Sequence, residues 1–172
     1  MSIQDLIALF HHRWSAPVLA ELLRQKGSRF VTLGNTLGVG RESLKRTLAS
    51  LIDLGLVAPN PGYGHPLRPE YVLTARGRRV ANRCAKLLAA LNGDADVVLR
   101  KWSLPVLVAL RRPSRFSELR AALPGVTGRA LALALKDLQS AGLVERRIED
   151  AYPPTAVYAP TALARRLQRI LS

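Results

Sequence analysis

Apolar side chains recur every three or four residues through most of the chain, which predicts a succession of short amphipathic helices. Glycines mark their limits, because residues 38–40 can form a tight turn and Gly55 can end a helix. Ser15 is expected to cap the second helix. In the first half this spacing defines four helices, whose inward faces are expected to be Ile3, Leu6, Ile7 and Phe10; Val18, Leu19, Leu22 and Leu23; Leu33 and Leu37; and Leu44, Leu48, Leu51 and Ile52.

The pattern changes to short β-like runs after the fourth helix. Residues 56–57 and 71–73 are predicted to be strands, and the proline- and glycine-rich residues 59–69 between them are predicted to be the tip of a hairpin. Thr74 is then expected to cap a final helix over residues 75–91, which is basic on one face.

The second half of the chain repeats the first. Residues 13–19 (RWSAPVL) return as residues 101–107 (KWSLPVL), and the Arg-Phe and Gly-Leu-Val landmarks return in the same order, at offsets between 86 and 88. Such a period is too long for a solenoid repeat and suits a small domain, which indicates a tandem duplication. We therefore predict two domains, residues 1–92 and residues 93–172, which meet at residues 92–94.

The same elements are predicted in the second copy, and together they indicate a fold class. Three helices followed by a two-stranded hairpin is the winged helix-turn-helix layout, in which the second of two crossed helices can enter a major groove while the hairpin lies along the adjacent backbone. The prediction is a mainly α fold with small β-hairpins (α+β), formed by two tandem winged helix-turn-helix domains. The apolar faces of the first helix and of both closing helices are expected to join them as an intramolecular pseudo-dimer. In the second copy, helices are expected over residues 103–111, 116–123, 126–141 and 161–171, and strands over residues 143–148 and 156–158.

Charge indicates the kind of partner. The 26 Lys and Arg against 12 Asp and Glu give a net charge of +14. Residues 1–92 hold 13 basic and 5 acidic residues, and residues 93–172 hold 13 and 7, so both halves share the excess. A polyanion is the expected partner, double-stranded DNA first. A membrane partner is not expected, because no amphipathic stretch with exposed aromatic residues is present.

The single cysteine, Cys84, excludes an intramolecular disulfide and favours a reducing compartment. Its neighbours at helical spacing are apolar, which favours a buried hydrophobic role over a redox-sensing thiol.

No apolar run approaches the roughly 18 residues of a membrane span, and the N-terminus does not resemble a signal peptide. The chain is expected to be cytoplasmic and associated with the nucleoid.

Catalytic chemistry finds no support in the sequence. P-loop, nucleophile-elbow and dinucleotide-binding patterns are absent. His11, His12 and His65 have no cysteine partners at zinc spacing, and Asp94 and Asp96 are interpreted as linker residues. Neither an enzymatic activity nor a cofactor is therefore predicted.

The second copy contains a series of short motifs in a fixed order. They are KW at 101–102, RFSEL at 115–119, LPGV at 123–126, GLVERR at 142–147, PP at 153–154, VY at 157–158 and Thr161. The order and spacing of these landmarks resemble those of the HxlR-type winged-helix regulators, and the first copy shares fewer of them. The resemblance implies a bacterial DNA-binding transcription factor of a family whose members are typically homodimers of one-domain chains.

The fourth helix of the first copy offers the clearest reading surface. Arginine and lysine suit guanine O6 and N7, so Arg41, Lys45 and Arg46 are candidate base contacts. Glu42 is expected to pair with Arg46 one turn later, although it could accept a hydrogen bond from cytosine. The further candidates of this copy are Arg29, at a helix start that suits phosphate or an internal ion pair, and the wing residues His65 and Arg68.

The second copy departs from the family at its reading helix. Ala132, Leu133 and Ala134 stand where polar residues are usual, and they can touch a thymine methyl group but cannot hydrogen-bond a base edge. Arg146 and Arg147 fall on opposite faces of the hairpin, so one should point at DNA if the other covers the core. The candidate contacts of this copy are Arg115, Ser117, Thr127, Arg129, Lys136, Arg146 and Arg147.

These features predict a sequence-specific transcriptional regulator that reads an imperfect palindrome, with the first reading helix dominant and the second copy contributing mainly wing contacts. Two alternatives stay open. One is an architectural protein that binds DNA without sequence preference, and the other is a protein-interaction module that docks through residues 132–134. Further assembly into a homodimer and a small-molecule effector also stay open.

The recurring aromatic residues are assigned to the cores: Trp14, Phe30, Tyr71, Trp102, Phe116 and Tyr158.

Overall fold

The computed structural model describes residues 1–60, 70–91, 95–149, 152 and 154–172. Helices dominate both halves of the chain, and each half ends in a strand pair followed by a helix. In chain order the elements are α1 (Ile3–Leu9), α2 (Ser15–Gln25), β1 (Ser28–Arg29), α3 (Phe30–Leu37), α4 (Arg41–Asp53), β2 (Val57–Asn60), β3 (Glu70–Leu73), α5 (Ala75–Ala90), α6 (Ala95–Val98), α7 (Ser103–Ala109), β4 (Ser114–Arg115), α8 (Phe116–Ala122), α9 (Gly128–Ser140), β5 (Val144–Glu149), β6 (Thr155–Pro160) and α10 (Ala162–Leu171).

The predicted fold class, two tandem winged helix-turn-helix domains, is confirmed by this element order. Each repeat contains a three-stranded antiparallel sheet, in the order β1-β3-β2 or β4-β6-β5. The predicted hairpins form two strands of each sheet, with Val57 opposite Leu73 and Val144 opposite Pro160. The third strand, β1 or β4, was not predicted, because a two-residue strand carries no periodicity of its own.

The chain packs into two compact units that do not coincide with the two repeats. One unit is His12–Ala89, and the other joins Met1–His11 to Ala90–Ser172. In the second of these units α1 packs against α7, and the α1 side chain Leu6 is fully buried. The division at residues 92–94 therefore describes the sequence repeat, whereas packing groups the first helix with the second repeat.

Equivalent caps begin the closing helix of each repeat. Thr74 Oγ1 accepts a hydrogen bond from the Gly77 N–H (2.9 Å) and donates one to the Gly55 carbonyl (2.8 Å). Thr161 Oγ1 donates in the same way to the Gly142 carbonyl (2.9 Å). Gly55 and Gly142 both adopt φ +66°, the left-handed conformation that ends a helix. The predicted roles of Thr74 and Gly55 are confirmed.

Ser15 does not cap α2 as predicted, because the residue before it, Trp14, occupies the N-cap position. The Ser15 hydroxyl is buried inside the first turn, where no hydrogen-bond partner reaches it among the described residues. The equivalent serine, Ser103, donates to the Val97 carbonyl at 3.0 Å. The equivalent serine hydroxyl is therefore buried in both repeats, but among the described residues it has a hydrogen-bond partner only in the second.

Alanine substitution of these two serines is expected to have unequal outcomes. Ser103→Ala removes a satisfied hydrogen bond and should lower the free energy of unfolding by about 1 kcal/mol. Ser15→Ala removes only an unsatisfied buried group, so it should leave that free energy unchanged or raise it by up to about 1 kcal/mol. Urea unfolding of the full chain measures both, and equal losses in the two variants would contradict the difference.

The aromatic landmarks lie at the edge of the cores and not within them. All six are half-buried, while leucines fill the interior. Cations lie over three of them: the Arg13 guanidinium is 5.2 Å from the Trp14 ring centroid, the Lys101 ammonium is 5.6 Å from that of Trp102, and a third cation lies over Phe30. The prediction that these residues are ordinary core residues is therefore only partly right.

Cys84 is buried in α5, as predicted. Burial raises the pKa of its thiol to about 12, because the charged thiolate would be poorly solvated there. The thiol is therefore protonated at neutral pH.

Among the described residues, no helix has both the length and the apolar character that crossing a membrane requires.

Candidate nucleic-acid interface

The helix-turn-helix of the His12–Ala89 unit is formed by α3 and α4. The chain turns between them at Gly38, whose φ of +62° lies in the left-handed region that glycine adopts without strain. Beyond the turn, α4 buries Leu44, Leu48 and Leu51. These leucines fix the rotation of α4 about its axis and so determine which side chains face solvent.

The outer face of α4, opposite its leucines, carries Arg41, Glu42, Lys45 and Arg46, all exposed. Arg41 and Lys45 are four residues apart, so they lie one above the other on this face. The expected ion pair between Glu42 and Arg46 is not formed in the described part of the chain. Both side chains are exposed, where solvent weakens the attraction that would hold such a pair together.

Arg41 also contacts the neighbouring helix. Its guanidinium lies 5.8 Å from the centroid of the Phe30 ring, a cation–π contact. Phe30 is the first residue of α3, and the exposed Arg29 occupies the N-cap position before it. The starts of α3 and α4 are thereby linked, with a cation at each. Sequence reasoning assigned Phe30 to the core and missed this support for Arg41.

The equivalent helix of the second repeat, α9, has the same length and the same buried leucines. Leu131, Leu135 and Leu138 take the places of Leu44, Leu48 and Leu51. The outer face of α9 differs, because the exposed side chains on it include two apolar residues between two cations. These side chains are Arg129, Ala132, Leu133 and Lys136.

Ala134 does not belong to this outer face, which corrects the sequence prediction for residues 132–134. It is 4% exposed and packs into the core beside the leucines. The sequence prediction treated three consecutive residues as one surface, although successive helical residues point about 100° apart. Leu133, by contrast, is 55% exposed.

Polar groups at the starts of α8 and α9 are partly engaged within the unit. The Thr127 hydroxyl caps α9 by accepting from the Ala130 N–H at 3.2 Å. The Glu118 carboxylate accepts from the Arg115 N–H at 2.6 Å, which puts a negative charge near this candidate cation. Ser117 is exposed in the same turn. At the position of Glu118, the first repeat has the neutral Thr32.

An ion pair anchors α9 to the segment that follows α6. The Arg100 guanidinium donates to the Asp137 carboxylate at 2.7 Å, and the Asp137 side chain is only 15% exposed. Sequence analysis did not single out Arg100, because the two residues lie far apart along the chain. The first repeat has Ser50 in place of Asp137, so it does not repeat this link.

The wing of the second repeat is exposed on both faces of β5 beyond Val144. Arg146 and Arg147 are therefore both in solvent, and neither covers the core, because the hairpin extends past it. Arg147 forms an exposed ion pair with Glu145 at 2.6 Å. Sequence reasoning also missed the apolar character of this hairpin, on which Ile148 is 63% exposed.

The wing of the first repeat is described only at its base. Asn60 on β2 donates to the Glu70 carboxylate on β3 at 2.9 Å. The candidate contacts His65 and Arg68 fall in residues 61–69, outside the described residues.

Comparison with known proteins identifies relatives of both repeats. The sequence profile described as HxlR-like helix-turn-helix matches residues 9–93 and, separately, residues 97–172. The Bacillus subtilis protein named "Uncharacterized HTH-type transcriptional regulator YkvN" is 36% identical over 77 residues, which are 44% of this chain and 65% of YkvN. YvaP of the same organism, also named as an HTH-type transcriptional regulator, is 36% identical over 77 residues, or 71% of its length.

A solved structure is also similar. A putative transcriptional regulator of the MarR family from Porphyromonas gingivalis W83 is 27% identical, with a TM-score of 0.43. The similarity covers 47% of this chain and 80% of that one. The chain spans between 57% and 71% of the length of three of the relatives it matches in sequence, and one matched stretch is about the length of one repeat.

Proposed function

The chain belongs to the HxlR-like helix-turn-helix family, and from that premise we propose that it is a DNA-binding transcriptional regulator whose two repeats read the two halves of an imperfect palindrome. One observation carries the proposal. The outer face of α4 presents Arg41, Lys45 and Arg46 to solvent, on the second helix of a helix-turn-helix whose opposite face is fixed in the core.

The first repeat supplies the main reading helix in this proposal. Lys45 and Arg46 contact base edges, with guanine O6 and N7 as the preferred acceptors. Arg41, held over Phe30, and Arg29, at the start of α3, contact phosphate beside the same groove. Glu42, which has no ion pair with Arg46, is left to accept a hydrogen bond from a cytosine amino group.

The second repeat supplies mainly backbone contacts. Arg146 and Arg147 on the exposed wing neutralise phosphates, and Arg129 and Lys136 do the same on either side of the apolar residues of α9. Arg115, Ser117 and the Thr127 hydroxyl are proposed to contact phosphates at the starts of α8 and α9.

Two repeats in one chain are proposed to act as a pseudo-dimer on adjacent half-sites. Dimeric helix-turn-helix proteins bind half-sites one helical turn of DNA apart, or multiples of that spacing. Because the reading faces of α4 and α9 differ, the two half-sites should differ in sequence. Such a regulator would act in the cytoplasm, at the nucleoid.

Selection of bound duplexes from a random pool, with the purified full chain, tests this proposal. We expect a bipartite motif with two unlike halves. If about six phosphates are neutralised, the plot of log affinity against log salt concentration should have a slope near −5. Fluorescence anisotropy over a salt series measures that slope.

The remaining outcomes identify the alternatives. A steep salt dependence without a selected motif indicates an architectural DNA-binding protein. No binding to any duplex at low salt overturns the proposal and favours a protein-interaction module.

A further inference from the structure

The reading helices of the two repeats can be compared residue by residue. Both have 13 residues, α4 begins at Arg41 and α9 at Gly128, and their buried leucines coincide. In this register Lys45 corresponds to Ala132 and Arg46 to Leu133. The repeats therefore have the same interior and opposite chemistry at the two central outer positions.

The apolar pair of α9 is exposed to solvent. Ala132 is exposed, and Leu133, at 55% exposure, is one of the few large apolar side chains on the described surface. Water contact with a leucine is unfavourable, so a ligand that covers it gains free energy in proportion to the apolar area removed from water. The pair is too small for a stable protein interface, which buries on the order of 800 Å² on each partner.

The surroundings of the pair indicate the chemistry of that ligand. Arg129 lies one turn before Leu133, and Lys136 lies one turn after Ala132, both exposed on the same face. The complementary surface carries negative charge on both sides of a small apolar group. A thymine in the major groove has this character, because its C5-methyl group projects between two phosphate backbones.

We propose that α9 recognises thymine methyl groups in its half-site, with Leu133 and Ala132 as the specificity-determining residues and Arg129 and Lys136 on the flanking phosphates. This inference rests on the proposed DNA binding and adds what the second half-site contains. The half-site of α4 is read through hydrogen bonds to guanine, whereas the half-site of α9 is read through apolar contact. The operator is therefore asymmetric in chemistry as well as in sequence.

Replacing thymine by uracil tests the proposal, because uracil lacks only the methyl group and keeps the base pair and the phosphates. The probes are the duplex recovered by selection and two copies of it, each with uracil in place of thymine in one half. For the 172-residue chain we expect the affinity to fall about fourfold for each thymine methyl contacted in the half-site of α9. No comparable loss is expected in the other half.

Leu133→Ala links that loss to the residue. On the duplex with thymine in both halves, the affinity of this variant should be lower than that of the wild type by the same factor. On the duplex with uracil in the half-site of α9, the variant should bind as the wild type does, which completes a double-mutant cycle. Lys45→Ala is the matched control: it should weaken binding to both duplexes by equal factors. The exchange Ala132→Lys/Leu133→Arg should move the preference of this half from thymine towards guanine.

Each contrary result is distinct. Uracil without effect in either half overturns methyl recognition, and so does a Leu133→Ala variant that weakens both duplexes equally. In both cases the wild type still binds its selected duplex, so the proposed function survives. Absence of any selected duplex removes the proposed function itself.

Discussion

Lys45→Glu/Arg46→Glu is expected to weaken binding of the selected duplex by on the order of a thousandfold, because each lost base contact is worth about 1–3 kcal/mol and the new carboxylates repel phosphate. Both side chains are exposed on the outer face of α4, and neither has an ion pair among the described residues. The substitutions should therefore leave the fold intact. Anisotropy titration measures the affinity, and circular dichroism checks the helix content.

A matched control separates a local contact from a general loss of positive charge. Arg79→Glu/Lys86→Glu changes the net charge by the same amount at two exposed positions on α5, outside the helix-turn-helix. We expect this control to lose less than about tenfold at moderate salt, where long-range attraction is screened. Equal losses in the two double variants would mean that α4 does not lie in the groove.

Gly77→Ala is expected to lower the free energy of unfolding of the His12–Ala89 unit by about 3 kcal/mol, through steric overlap in its core. A Cβ atom at Gly77 would lie 1.8 Å from the Leu56 carbonyl oxygen and 2.8 Å from its carbonyl carbon. That oxygen already accepts a hydrogen bond from the Thr74 N–H at 3.0 Å. A shift of either Leu56 or the start of α5 that relieved the overlap would therefore break this hydrogen bond.

Gly128→Ala is the control for this substitution. Apart from its chain neighbours and the nearby backbone of its own helix, no atom of the described residues lies within 4 Å of a Cβ at Gly128, which is the first residue of α9. Its replacement should be neutral or stabilise the protein by up to about 1 kcal/mol, because alanine favours helix. Thermal unfolding followed by circular dichroism should show an early transition in Gly77→Ala only. A Gly77→Ala protein that melts with the wild type would show that α5 can shift away from β2 at little cost.

Most of the fold could be predicted from the sequence because it is encoded locally. The leucines of α4 and α9 recur at helical spacing, Gly55 and Gly142 supply the conformation that ends a helix, and Thr74 can reach the next turn. The duplication supports each assignment, because the same layout has to fit both copies.

The features that the sequence did not show depend on tertiary partners. Strands β1 and β4 exist only because β3 and β6 lie beside them. The spacing of Leu6 shows that α1 has an apolar face, but it does not specify that α7 packs on it. Ser15 looked like a cap because serine usually is one there, and only the packing shows it buried.

The candidate site shows the same division. Exposure of Lys45 and Arg46 follows from the helical period, and it is as predicted. The cation–π contact of Arg41 and the ion pair of Arg100 join different elements, so no local pattern could reveal them. The assignment of Ala134 to the surface failed because residue type was weighed without its angular position on the helix.

The packing position of α1 affects folding during synthesis and the choice of fragments that contain one repeat. Its packing partner α7 leaves the ribosome some 100 residues later, which at ordinary elongation rates is a delay of roughly 5–20 s. During synthesis the apolar side of α1 therefore lacks its packing partner until α7 has been made, and the second repeat completes its fold with a helix that precedes the first repeat. A fragment that starts at residue 93 lacks this helix. A fragment that is to keep the packing of the second repeat must therefore also contain α1.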